Sequence, residues 1–129
     1  MMSRTRNISP LAVTTAVFLA AVGAAARAED MPDGAVLFRQ QCAACHSTVA
    51  GDPPRQGPNL AGVFGRKAGS APGFTYSAGF TQANFTWDAA HLDAYLSDPQ
   101  AVIPGAVMPY RQKKPEIRQA IIQWLKDQR

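Results

Sequence analysis

The sequence predicts a small all-α domain of three main helices with one or two short ones, on three observations. Apolar residues recur at helical spacing in three separate segments. The stretch from Thr48 to Gly73 holds ten Gly and Pro residues, too many to sustain either helices or a sheet. No segment alternates apolar and polar residues as a half-buried strand would.

Residues 1–28 read as a cleavable export signal and 29–129 as a single domain. Arg4 and Arg6 form a basic start, Leu11–Ala26 an apolar run, and Ala26-Arg27-Ala28 a cleavage site before Glu29. The run is 16 residues long, short of the roughly 20 a membrane-spanning helix needs. The expectation is therefore a periplasmic protein, with no stable membrane insertion after cleavage. Three of the 13 basic residues leave with the signal, so the domain keeps ten against nine acids, a net of +1. That balance gives no support to nucleic-acid binding. About one hundred residues make a modest core unaided.

In the domain, Asp30 can cap a first helix that Pro32 enters near its first turn. Gly34, Phe38, Cys42 and Cys45 follow at helical spacing, with Met31 expected on the same helix. Thr86 is the expected cap of a second helix, with Asp88 in its first turn and Leu92, Tyr95 and Leu96 as its buried stripe. Asp98-Pro99 ends that helix, and Pro104-Gly105 forces a turn before Met108. Pro115 opens the last helix, whose apolar residues Ile117, Ala120, Ile121, Trp124 and Leu125 make an amphipathic pattern.

The chemistry lies in Cys42-Ala43-Ala44-Cys45-His46, a C-x-x-C-H pentapeptide. This is the attachment signature of c-type haem: two thiols add to the two vinyl groups, and the histidine becomes an iron ligand. A redox dithiol would want a βαβ setting, and a structural zinc site further Cys or His ligands. The chain has two cysteines in all and one other histidine, His91. The long loop then has a purpose, wrapping a cofactor edge. For the second axial position, Met31 faces the wrong side and His91 falls on the exposed flank of its helix. Met108 is the candidate, with ordinary core packing as the alternative. A His46/Met108 pair would raise the reduction potential and leave no open site, which points to electron transfer.

The chain resembles the class I cytochromes c, the mitochondrial type and its exported bacterial relatives. The resemblance is carried by Cys42–His46, Gly57-Pro58-Asn59-Leu60, Gly65-Arg66-Lys67, Ala71-Pro72-Gly73-Phe74, Thr86-Trp87, Ile103-Pro104-Gly105, Met108 and the terminal helix through Trp124-Leu125. It implies helices wrapped around one covalent haem and one-electron shuttling, not enzymatic turnover. It implies redox partner proteins: a reductase such as a bc1-type complex or a dehydrogenase, and a terminal oxidase or reaction centre, met by a monomer. It also implies that Pro58 accepts from His46 Nδ1–H, that Arg66, Tyr76 and Trp87 bond a buried propionate, and that Gly34 and Phe38 pack on Ile121 and Trp124. Two departures stand out. Phe80 and Ala106 replace an Asn and a Thr, which predicts a drier pocket with fewer polar restraints on the Met108 loop. Gln41, Gln100, Ala101 and Val107 fall where docking lysines are usual, while Arg55, Arg111, Lys113 and Lys114 keep part of the ring. A haem enzyme or gas sensor, a thiol–disulfide oxidoreductase and an inert structural subunit are the competing functions.

Overall fold

The computed structural model describes residues 31–129, and the export signal and Asp30 lie outside them. Four α-helices follow in order: α1 (Gly34–Gln41), α2 (Ala89–Ser97), α3 (Pro99–Val102) and α4 (Pro115–Lys126). A 3₁₀ helix, Ala78–Gln82, precedes α2. Three are sizeable and two are short, as the periodicity predicts, and the described residues form no strand.

The start of α1 differs from expectation. Asp33, not Asp30, is the N-cap: its Oδ1 accepts from Ala35 N at 2.8 Å and Val36 N at 3.2 Å. Asp33 immediately precedes the first helical residue, so its carboxylate meets the free N–H groups of the first turn. Pro32 and Met31 therefore lie before the helix, and Met31 is exposed. The helix stops at Gln41. From Cys42 the motif continues as a hydrogen-bonded turn, with Cys45 N and His46 N both donating to Cys42 O at 3.0 Å.

Asp88 rather than Thr86 caps α2, accepting from His91 N at 2.8 Å. Thr86 is instead paired with Lys67 in an isolated antiparallel bridge. Beside it, Trp87 N donates to Arg66 O at 2.9 Å and Gly65 N to Trp87 O at 2.7 Å. The long loop is thus tied to the approach to α2. Asp98 ends α2 and caps α3, and Pro99 and Pro115 occupy first-turn positions of their helices, where a missing N–H costs nothing.

Helices α1 and α4 cross against each other. A Cβ on Gly34 would run into the Ala120 carbonyl and lie 2.6 Å from Trp124 Cβ, so only glycine fits. One turn on, the Phe38 and Trp124 rings pack with centroids 4.7 Å apart. Ile121 is completely buried, and Ala120, Ile122 and Leu125 join it in a core shared with Leu92, Tyr95 and Leu96 of α2. Periodicity did not mark Arg118, which is buried on α4. Its Nε donates to Asp93 Oδ1 at 2.7 Å and its Nη1 to the carbonyls of Gln112 and Lys113.

Candidate functional site

The C-terminal end of α1, the long loop, the 3₁₀ helix, α2, α4 and the Met108 segment enclose one cavity of about 500 Å³. All eight residues singled out from the sequence line it: Cys42, Cys45, His46, Pro58, Arg66, Tyr76, Trp87 and Met108. His91 does not. It is 40% exposed, stacked flat on Phe85 with centroids 4.3 Å apart, and its Nδ1 lies 2.8 Å from Asp88 Oδ1.

The loop holds the motif by short-range bonds. Gly57 N donates to Cys45 O at 2.9 Å, and Arg55 Nη1 to Ala43 O at 2.8 Å. The loop is itself braced by Asn59, whose Nδ2 donates to Val49 O and Asp52 O while its Oδ1 accepts from Ala61 N. His46 Nδ1 lies 2.8 Å from Pro58 O. A carbonyl can only accept, so Nδ1 carries the proton and Nε2 keeps a free lone pair. Burial pushes the imidazole pKa below its ordinary value, against the Pro58 bond, so the ring stays neutral near pH 7. A Cβ on Gly57 would lie 2.7 Å from Nδ1, so glycine is required for the loop to close over the ring.

The thiols differ. Before haem is attached, burial, with Cys45 beside it, pushes the Cys42 thiol up to about 11, which keeps it protonated. Cys45 Sγ is within 3.2 Å of Gln56 Oε1.

Around the rest of the cavity runs an aromatic wall. Phe74 meets Tyr76, Tyr76 meets Phe80, Phe80 meets Tyr95 and Tyr95 meets Trp87, with centroids 4.7–6.2 Å apart. Into this wall are set two buried polar atoms with no partner among the described residues, Arg66 Nε and Ser77 Oγ. Arg66 spends its other nitrogens on Ala61 O and Asn59 O, both at 2.9 Å. Buried donors are seldom left unpaired, so these two fit an anionic group inside the cavity. Ser77 escaped the sequence reading, because a single serine after Tyr76 carries no motif.

Met108 is half-buried at the cavity, between exposed Val107 and Pro109. Although Ala106 and Phe80 cannot hydrogen-bond through their side chains, its segment carries other polar restraints. Gln100, Gln41, Tyr110 and Gln112 supply them. No signal in the sequence marked these four for that role.

A helical domain whose cavity gathers a C-x-x-C-H motif, a neutral histidine and unpaired donors is a covalent-haem protein. The sequence model of the family described as cytochrome c matches residues 32–129. The chain is 44% identical to cytochrome c of Ulva intestinalis over 95 residues, 73% of this chain and 86% of that one. It is 42% identical to cytochrome c of Chlamydomonas reinhardtii over 104 residues, 80% and 93% of the two chains. To cytochrome c2 iso-2 of Magnetospirillum molischianum it is 45% identical over 98 residues, 75% and 96%. The chain belongs to the cytochrome c family: it is a haem-based electron carrier, with one haem c attached through Cys42 and Cys45.

Proposed function

We propose that this protein is a periplasmic one-electron shuttle whose iron is held by His46 and Met108, and that it is not an enzyme. The observation that carries the reading is the single cavity that Cys42, Cys45, His46 and Met108 line together. Residues 1–28 serve as the cleaved export signal, so the mature N-terminus is Glu29. Its redox partners are a donor such as a bc1-type complex or a periplasmic dehydrogenase, and a terminal oxidase or reaction centre as acceptor. Such partners would place it in a respiratory or photosynthetic chain, where it works as a monomer. Among the described residues no helix is long and apolar enough to cross a membrane.

When bound, haem supplies an iron that alternates between Fe(II) and Fe(III). The chain's residues set the terms of that exchange. Pro58 fixes the His46 tautomer, so Nε2 presents its lone pair without a competing proton. The Met108 thioether is soft and favours the ferrous state, and the aromatic wall disfavours extra ferric charge. Arg66 Nε and Ser77 Oγ, with Tyr76 and Trp87, would hold the propionate charge. With His46 and Met108 both holding the iron, peroxide and oxygen would find no coordination position.

Absorption spectra of exported protein test this. The ferric form should carry the weak red band of thioether-ligated iron, and Met108→Ala should abolish it. The reduction potential should then fall by a few tenths of a volt, within the roughly 0.8 V that axial ligands span. A Met108→Ala protein that keeps the band, or a wild-type iron that is five-coordinate at rest, overturns the ligand assignment. Mass spectrometry of the mature chain that finds residues upstream of Glu29 overturns the export reading.

A further inference from the structure

Residues 107–111 make no backbone–backbone hydrogen bond among the described residues. A segment with so little internal bonding is held only by what its side chains and neighbours reach. Here one amide, that of Gln41, reaches it through Tyr110, and a second, that of Gln100, holds the Gly105–Ala106 backbone just before it. Upstream, Gln100 of α3 turns its side chain onto the Pro104–Gly105 turn. Its Nε2 donates to Ala106 O, and its Oε1 accepts from Gly105 N at 3.1 Å. Downstream, the Tyr110 hydroxyl donates to Gln41 Oε1 at 2.6 Å, and Gln112 Nε2 reaches the same oxygen at 3.2 Å.

Gln112 is a fixed post. Its backbone N donates to Leu96 O at 2.8 Å, its Oε1 accepts from Lys114 N at 3.0 Å, and its carbonyl accepts from Arg118 Nη1 at 2.9 Å. Gln41 is fixed as well, because it is the last residue of α1 and directly precedes Cys42. A short relay therefore connects the residue beside the haem-attachment motif to the residue two places after Met108.

We infer that Gln41 and Gln100 are positioning residues: they clamp the two flanks of Met108 and so hold its thioether at the cavity. The inference rests on Met108 as iron ligand, proposed above. The clamp touches neither the thioether nor the motif sulfurs. It acts by making departure of the segment cost hydrogen bonds that water must replace. The Gln41 side is half-buried and the Gln100 side is exposed, so the Gln41 side contributes more.

Imidazole binding to ferric holoprotein reads the clamp directly, since imidazole reaches the iron only after Met108 leaves. Followed by loss of the red band, Gln41→Met and Tyr110→Phe should each bind imidazole about fivefold faster, the worth of the Tyr110–Gln41 hydrogen bond that both delete. Gln100→Met should show about a twofold effect, discounted for its exposure. Gln41→Glu keeps an acceptor oxygen for Tyr110 and Gln112 and should stay at the wild-type rate. A wild-type ferric spectrum with no red band overturns the ligand assignment and the clamp together. A normal band with wild-type rates in all three apolar variants overturns the clamp alone. So does a Gln41→Glu protein as fast as Gln41→Met, because the acceptor oxygen would then be irrelevant.

Discussion

The two segments that bring the proposed iron ligands to the cavity are held by different means. Residues 42–61, with His46, are fixed by partners close in sequence: Pro58 for the imidazole, Gly57 for the motif backbone, and the Arg66 side chain on the carbonyls of Asn59 and Ala61. None of these bonds spans more than 12 residues. Residues 103–114, with Met108, are fixed by the nearby Gln100 and Arg118 and, across the fold, by Leu96 and by Gln41, the latter across 69 and 71 residues. The histidine side is a local motif, and the methionine side is a product of the whole fold. A damaged tertiary contact should therefore loosen Met108 long before it disturbs His46.

The largest effect should come from breaking the local side. Cys42→Ala with Cys45→Ala removes both attachment points, and mass spectrometry should find the purified chain without added haem. One haem per chain in that double variant would overturn the motif's role.

A sharper test of the long-range side is Arg118→Met. It keeps the stem's packing but deletes charge-assisted bonds to Asp93 and bonds to the carbonyls of Gln112 and Lys113. Denaturant unfolding should show a loss of about 2 kcal/mol. Imidazole access should quicken while the spectral signature of His46 ligation is unchanged.

Docking should be affected less. The cavity rim near Met108 is uncharged, formed by Gln41, Gln56, Pro109 and Val107, and Val107 is 77% exposed. Arg111 is paired with Asp98 at 3.1 Å. Electron-transfer rates with a partner should fall less than about tenfold between low and physiological ionic strength. A steeper collapse would mean that Arg55, Lys113 and Lys114 dominate the encounter.

The smallest effect belongs to Asp88, which lies in neither segment and serves as a control. Bonds from the His91 backbone N–H, then from its ring, hold this carboxyl below its ordinary 3.8. The folded state thus favours the carboxylate. The cap's contribution is present above the ordinary value and is lost as pH falls through the lowered one. Asp88→Asn should flatten the acid limb of the melting-temperature profile slightly and leave imidazole binding alone.

The same contrast decides what the sequence disclosed. The motif, the Gly- and Pro-rich loop and the stripe of α4 are local patterns; the loop and the stripe are where composition and periodicity put them, while the motif follows α1 as a turn rather than riding on it. Caps were ambiguous where two candidates stood close together. Asp33 displaced Asp30 because it adjoins the first turn. Thr86 lost to Asp88 because its backbone pairs with Lys67, in a loop whose course periodicity does not predict. Gln41, Gln100 and Ser77 were unreadable for a related reason. An uncharged polar residue has no period and no motif, and its partner is chosen only when distant chain is brought beside it.

The crossing at Gly34 has a topological consequence. It lays the first helix of the described chain on the last, so everything between them forms one closed circuit, clasped where Phe38 meets Trp124. A protease that nicked the exposed backbone near Gly51 would yield two pieces still fastened at that clasp, each keeping one of the proposed iron ligands. Cutting the polypeptide and separating the molecule are, for this architecture, different events.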